Sequence, residues 1–296
     1  MAEHNVDNSN IDRSEFEMRQ RTIDRAPFRN LKIDDSRILN TLEGRRKCEL
    51  CCKSRKFFCY TCCVPVIDNS YFPRVKLPIK IDIIKHAHEI DGKSTAIHAA
   101  ILAPEDVKIY IYPDFPDISS KEETILIFPS KSAQTVSVEA LFTNRKSSSL
   151  ANRTEVFPIK RAIFIDSTWQ QTKAIYKDQR LRELRCVILK SRISQFWRYQ
   201  KKSPRWYLAT IEAIHQFLVE LHTCAYTEGY PDIHSSVLNG KQSSVVNSKK
   251  TEECAEITQK YHGEYDNLLY FFKYMYDKIH SIYDHDQLQA YKRPLA

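Results

Sequence analysis

An apolar run, Ala162-Ile-Phe-Ile165, stops abruptly on Asp166, and this junction constrains the fold more than any other part of the chain. No polar residue alternates within the run, which suits a strand covered on both faces in a parallel sheet. From Thr168 to Lys177 the spacing turns helical. Ligands of open α/β sheets collect at the carboxyl ends of strands, so Asp166 is a site candidate. A second reading stays open, in which Asp166 only caps the following helix. Trp169, in the turn after the strand, is either core or the wall of a pocket for a flat ligand.

The same rhythm of apolar strand, polar loop and helix runs from Leu77 onward and gives an α/β fold. Strands are expected at Pro78 to Ile84, Val107 to Tyr112, Thr124 to Phe128, Ala162 to Ile165 and Cys186 to Leu189. Ser94 caps a helix running through Leu102, a helix follows Ala133 to about Phe142, and a long one covers Trp206 to Thr227. The expected division is 1–44, a flexible extension with one short helix; 45–66, a cysteine knuckle; 77–234, the α/β domain; 235–258, a polar loop; and 259–296, an aromatic helix packed on the domain.

Six of the nine cysteines fall between Cys48 and Cys63. Cys48-Glu-Leu-Cys51 and Cys59-Tyr-Thr-Cys62 are two C-x-x-C pairs whose separation lets four thiolates meet around one tetrahedral zinc. Cys52 and Cys63 leave the ligand register open, and reduced thiols in a small apolar patch are the alternative. Clustered cysteines of this kind, a polar amino-terminal segment with no signal-peptide core, and no apolar run of membrane-spanning length read as an intracellular protein in a reducing compartment.

The net charge of +8 fits a polyanionic partner without demanding one. A basic and aromatic stretch, with Arg192, Trp197, Arg198, Tyr199, Lys201, Lys202, Arg205 and Trp206, pairs cations for phosphates with rings for extruded bases. A solvated basic loop with two aromatic anchors is the other reading. Only five glycines occur, and none forms a dinucleotide fingerprint or P-loop; no G-x-S-x-G elbow is present. Dinucleotide-dependent, nucleoside-triphosphatase and esterase classes therefore drop out.

Five segments, in order, resemble the DTW-domain family of tRNA-uridine aminocarboxypropyltransferases. Asp166-Ser-Thr-Trp169 matches the D-x-T-W signature. The cysteine pairs precede it, with His86, Glu89, Ser94 and Thr95 in an H-x-x-E-x-x-x-x-S-T element, Phe128-Pro129-Ser130 in an F-P-S loop, and Leu208-Ala-Thr210-Ile-Glu212-Ala in an L-x-T-x-E-A helix opening. The resemblance runs from about Arg45 to Phe217 and resumes at Gly263.

The resemblance implies a SPOUT-like, trefoil-knotted parallel sheet with flanking helices. It also implies S-adenosyl-L-methionine as co-substrate, tRNA as partner, zinc in the knuckle and a nuclear location. The activity implied is transfer of a 3-amino-3-carboxypropyl group to uridine N3, in the D-loop. Asp166, Thr168 and Trp169 would then be catalytic, with Asp166 as base or as a binding group. Ser94, Thr95, Phe128, Pro129, Ser130, Leu208, Thr210 and Glu212 would surround the co-substrate, although Glu212 suits a helix-terminus anion equally well. Arg192, Arg198, Lys201, Lys202 and Arg205 would bind RNA. A SPOUT-like methyltransferase and a non-catalytic RNA-binding protein remain as alternatives.

Overall fold

The computed structural model describes residues 18–118, 120–130, 135–143, 156–200, 203–226 and 261–295. Residues 18–25 form helix α1. Two small antiparallel ribbons follow, β1 (Arg46–Lys47) with β2 (Ser54–Arg55), and β3 (Phe58–Cys59) with β4 (Val64–Pro65). The central sheet takes β5 (Lys80–Lys85), β6 (Val107–Ile111), β7 (Thr124–Ile127), β8 (Val136–Ser137), β9 (Arg161–Asp166) and β10 (Arg185–Ile188). Its strand order is β6-β5-β9-β7-β10-β8, and every registered pair is parallel. Two later strands are inserted between earlier ones: β9 lies between β5 and β7, and β10 between β7 and β8.

Alternation along the central strands splits their side chains between two apolar layers. Ile81, Ile83, Ala162, Phe164 and Ile125 enter the larger core, beneath α2 (Ala96–Leu102), α6 (Thr210–Tyr226) and α7 (Tyr270–His280). Ile84, Ile163 and Leu126 face the smaller core, which α4 (Trp169–Tyr176) and α5 (Gln179–Arg182) close through Ile175 and Leu181. Burial on both sides explains why these strands read as unbroken apolar runs. Asp166 shares the parity of Ala162 and Phe164, so it faces the α2 and α6 layer.

Three expectations need correction. The helix expected up to Phe142 is instead the edge strand β8 followed by the one-turn helix α3 (Ala140–Thr143), because Val136 and Ser137 find a free strand edge on β10. The long helix opens at Thr210, not Trp206, since Glu212 in its first turn takes the N–H of Ala209 (2.9 Å) and fixes the start there. The extension expected to be flexible packs from residue 18 onward: Phe28, Leu39 and Leu42 are core residues. The short helix expected around Ile11 to Thr22 overlaps α1 from residue 18; its earlier part lies outside the described residues, as does the loop expected at 235–258.

Asp24 of α1 is only 2% exposed and receives Arg205, also 2% exposed, through two bonds of 2.6 and 2.8 Å. Gln20 and Gln195 donate to the same carboxylate. Burial pushes Asp24 up, but Arg205 outweighs it, and the carboxyl sits below its ordinary value. Removing one partner strands the other charge in the interior. Asp24→Asn and Arg205→Gln are therefore each expected to cost about 3–5 kcal/mol of unfolding free energy in urea titrations. A loss under about 1 kcal/mol would show that the pair is not what holds α1.

Candidate active site and cysteine centre

Because the sheet is parallel, every strand's carboxyl end lies along one edge, and the segments singled out in the sequence follow those ends. His86 to Ser94 follow β5, Phe128-Pro129-Ser130 follow β7, Asp166 to Trp169 end β9, and the basic stretch follows β10. Register pairs Lys85 with Asp166 on adjacent strands.

Asp166, 5% exposed, is held by hydroxyls from two helix starts. Ser94 Oγ donates to its Oδ2 (2.7 Å) and accepts the N–H of Ala96 at the head of α2 (3.1 Å). Thr210 Oγ1 donates to Oδ1 (2.6 Å). Thr95 Oγ1 accepts the N–H of Ile211 (3.2 Å), tying α6 to the start of α2. The carbonyl of Asp166 accepts the N–H of His86 (3.1 Å). Burial raises the Asp166 carboxyl above its ordinary value, while Thr210, Ser94 and the Lys85 charge oppose the rise. A carboxyl so poised is a stronger base than one in water, and the two hydroxyls fix its orientation. Glu89, half-buried, is also raised, by burial first and then by the Asp166 charge.

Capping belongs to Thr168, not Asp166. Thr168 accepts the N–H of Gln171 (3.5 Å), and the Gln171 side chain returns to the N–H of Thr168 (3.1 Å), a reciprocal capping box. Its hydroxyl also donates to Gln171 (2.9 Å), so this proposed catalytic hydroxyl already has a local partner. Trp169 opens α4, but its ring lies outside the described atoms. The Phe128 ring stacks on Tyr176 at 4.3 Å, and Ser130 Oγ lies 2.8 Å from the Tyr176 hydroxyl; Pro129 between them is exposed. Leu208 is half-buried two residues before Thr210.

Glu212 points inward, 1% exposed, and accepts from Ser194 Oγ (2.6 Å), Gln195 N–H (2.7 Å) and Ala209 N–H. Those three donors occupy both oxygens, so the carboxylate anchors the segment before α6 and offers nothing to a co-substrate. Arg205 is not a surface cation either, because Asp24 holds it in the interior. Trp197 is 8% exposed and packs 5.0 Å from Phe272, in the core and not against a base. Arg192 and Arg198 are half-buried, bonded to Gln216 (3.2 Å) and to the Gly92 carbonyl (3.2 Å). Tyr199 and Trp206 are the exposed rings of the stretch, and Lys201 and Lys202 lie outside the described residues.

Sequence reasoning missed Lys85 and Asp91, a buried ammonium paired with a carboxylate beside Ser94. They line a small cavity of about 40 Å³ with Tyr60, Thr61, Cys63 and Ser94. Lys85 carried the same signal as Asp166: a charged residue ending an apolar strand run.

In the cysteine unit, the sulfurs of Cys48, Cys51, Cys59 and Cys62 all lie within 4.8 Å of one another. The doubled cysteines are turn residues. Cys52 and Cys63 each have φ of 57°, and their N–H groups close on the carbonyls of Cys48 and Cys59 (2.8 Å each). Two identical knuckles thus aim four thiols at one point and exclude the fifth and sixth, a donor set that can hold a metal ion. Burial raises the Cys59 thiol, but the N–H groups of Cys62 and Thr61 and the neighbouring thiols bring it down to about 6. Hydrogen bonding to Cys51, burial and Cys59 push the Cys62 thiol up to about 12, so without a cation the cluster carries its negative charge on Cys59.

The DTW-domain profile matches residues 56–280, more than half of the chain. The chain belongs to the DTW-domain family. It is similar to tRNA-uridine aminocarboxypropyltransferase 1 of Mus musculus, 38% identical over 287 residues that cover 86% of this chain and 84% of that protein. The proteins of the same name from Xenopus tropicalis (39% over 282 residues; 84% and 85% covered) and Homo sapiens (39% over 287 residues; 86% and 84%) match equally broadly. No solved structure matches. The matched span of this DTW-domain chain takes in β5 to β10, Ser94, Asp166 and Thr210. No described helix is long and apolar enough to cross a membrane.

Proposed function

We propose that the chain is a tRNA-uridine aminocarboxypropyltransferase that uses S-adenosyl-L-methionine, modifies N3 of a D-loop uridine and releases methylthioadenosine. One observation carries this reading: Ser94, Asp166 and Thr210, from three separate motif segments, converge on a single buried carboxyl at the sheet's carboxyl edge. The residues there fit the co-substrate. Lys85 and Asp91, paired with each other in this structure, would have to part to take an amino acid's carboxylate and ammonium, and the stacked Phe128 and Tyr176 rings offer an aromatic surface. S-adenosylmethionine would supply an electrophilic carbon beside its sulfonium.

The protein's part is to orient the uracil and to take its N3 proton, since a protonated imide nitrogen is a poor nucleophile. Asp166 is the proposed acceptor, its oxygens fixed by Ser94 and Thr210. The exposed rings of Tyr199 and Trp206 suit stacking on unpaired bases. The quartet of thiols suits zinc in a structural role. A trefoil knot and a nuclear location go with the same proposal by resemblance.

Incubating the protein with S-adenosylmethionine and unmodified tRNA tests the reading. Methylthioadenosine with an aminocarboxypropylated uridine supports it. S-adenosylhomocysteine would make the chain a methyltransferase, and neither product would make it a binding protein. A finer check follows from the hydroxyl pair. Thr210→Val and Ser94→Ala each remove a donor that favours the ionised carboxylate, so the Asp166 carboxyl rises further. The acid limb of the kcat/KM profile is expected to move to higher pH, with turnover near pH 7 down roughly 10–100-fold, the loss of one hydrogen bond to a charge. An unmoved limb would remove Asp166 from the role of base.

A further inference from the structure

A second concavity, of about 510 Å³, opens where α1, the segment before α6 and the C-terminal tail meet. Arg21, Arg25, Arg205, Lys292 and Arg293 line it, against only two acids, Asp24 and Asp286. Asp24 is already committed to Arg205. Arg21 and Arg25 are one helical turn apart and exposed, as is Lys292. Arg293 is the unusual member. It is 6% exposed, and among the described residues its guanidinium bonds only to neutral acceptors: the Ala290 carbonyl (2.8 Å) and, at longer range, Gln200 Oε1, Ser203 O and Pro204 O.

No carboxylate pairs with Arg293 among the described residues, and its Nη2 has no partner there; neither has Nε of the adjacent, 2% exposed Arg205. Buried cations are ordinarily matched by an anion, and none is supplied to Arg293 by the described residues, so this wall is a cationic cradle suited to a bound anion. Burial and the neighbouring Arg205 charge both press the Arg293 guanidinium toward lower proton affinity, a penalty that a bound anion would lift.

We propose that this concavity seats backbone phosphates of the substrate RNA, with Arg293 as the buried anchor and Arg21, Arg25 and Lys292 at the rim. The proposal rests on the tRNA-directed reading above and adds a second docking point to it. Guanidinium forks match phosphate oxygens in geometry, and an excess of cations of this kind answers a polyanion better than a single carboxylate. Arg205 precedes Thr210 by five residues, a stretch of at most about 18 Å, so the cradle lies within reach of Asp166 on the scale of one tRNA arm.

Anisotropy titrations of a tRNA transcript across salt concentrations, on the full chain, provide the test. The triple variant Arg21→Gln, Arg25→Gln, Lys292→Gln touches exposed residues and should fold. Its slope of log affinity against log salt is expected to fall by about 2–3, near one for each phosphate that is no longer neutralised. KM for tRNA should rise roughly 10–100-fold while kcat falls far less. Lys121→Gln, which removes an exposed cation at the amino edge of the sheet, should change neither.

If the wild type transfers to tRNA and the triple variant keeps its slope and KM, the cradle is overturned and the activity stands. If the triple variant loses tRNA affinity but no methylthioadenosine is released, the cradle stands and the activity falls. A wild type without tRNA affinity overturns both. Millimolar inorganic phosphate that stabilises the wild type but not the variant, with unchanged tRNA slopes, would make this a free-anion site and refute the RNA assignment.

Discussion

Asp166→Asn is expected to lower transfer by about 10²–10⁴-fold, the usual range for loss of a positioned base, while the chain stays folded. The second half follows from the same burial that makes Asp166 useful. Its carboxyl binds a proton more tightly in the folded protein than in the unfolded chain, where its ordinary value is 3.8. Ionised Asp166 therefore opposes folding: its contribution to stability falls as pH rises from 3.8 through the raised value, and stays low above it. Asn keeps the shape and cannot ionise. Above that window the variant's urea midpoint should equal or exceed the wild type's, and the pH slope it removes should be the one just described. Near-normal turnover would eliminate Asp166 as base and leave it as a group that only holds the reactants. Lost activity with a collapsed midpoint would make it structural.

Removal of the cysteine centre should have the second large effect. Cys59→Ser, or prolonged chelation, is expected to release about one metal equivalent per chain, since four convergent thiols build one tetrahedral site. Stability should fall by at least ~3 kcal/mol, less than the ~10–16 kcal/mol of metal binding that folds an isolated knuckle, because the sheet core remains. The loss would spread beyond the ribbons. Phe58, beside Cys59, packs on His98 of α2 (5.7 Å) and Phe271 of α7 (4.9 Å), and Phe57 meets Tyr274 (5.4 Å). Cys52→Ser should retain the metal, as its thiol stands outside the quartet. Elemental analysis with thermal denaturation separates these cases, and metal content unchanged in Cys59→Ser would defeat the tetrathiolate assignment.

Much of the scaffold was legible in local pattern. Both-sided burial leaves unbroken apolar runs, so β5, β7, β9 and β10 stand out within a residue or two. The C-x-x-C spacing is likewise local and suggests four ligands, but the register stayed open until the structure brought four sulfurs together and put Cys52 and Cys63 in left-handed turn positions. β8 was missed because two residues at a sheet edge carry no period, and their strand character comes from the neighbouring β10. Lys85 shared the Asp166 signal, yet its partner Asp91 has nothing in its own neighbourhood that marks it.

The sequence by itself determined the α/β layering and the clustering of six cysteines, each from periodicity or spacing within a few residues, and the resemblance to the DTW-domain family singled out the segments that border the site. Tertiary structure decided what individual charged and hydroxyl groups do. Ser94 and Thr210 meet Asp166 across 72 and 44 residues, and Asp24 buries Arg205 across 181. Glu212 and Arg205 looked available in the sequence, yet packing closed one off with three internal donors and the other with a carboxylate. Whether a charge binds a ligand or braces the fold depends on the dielectric and partners around it. Those are supplied by chain segments that only folding brings together.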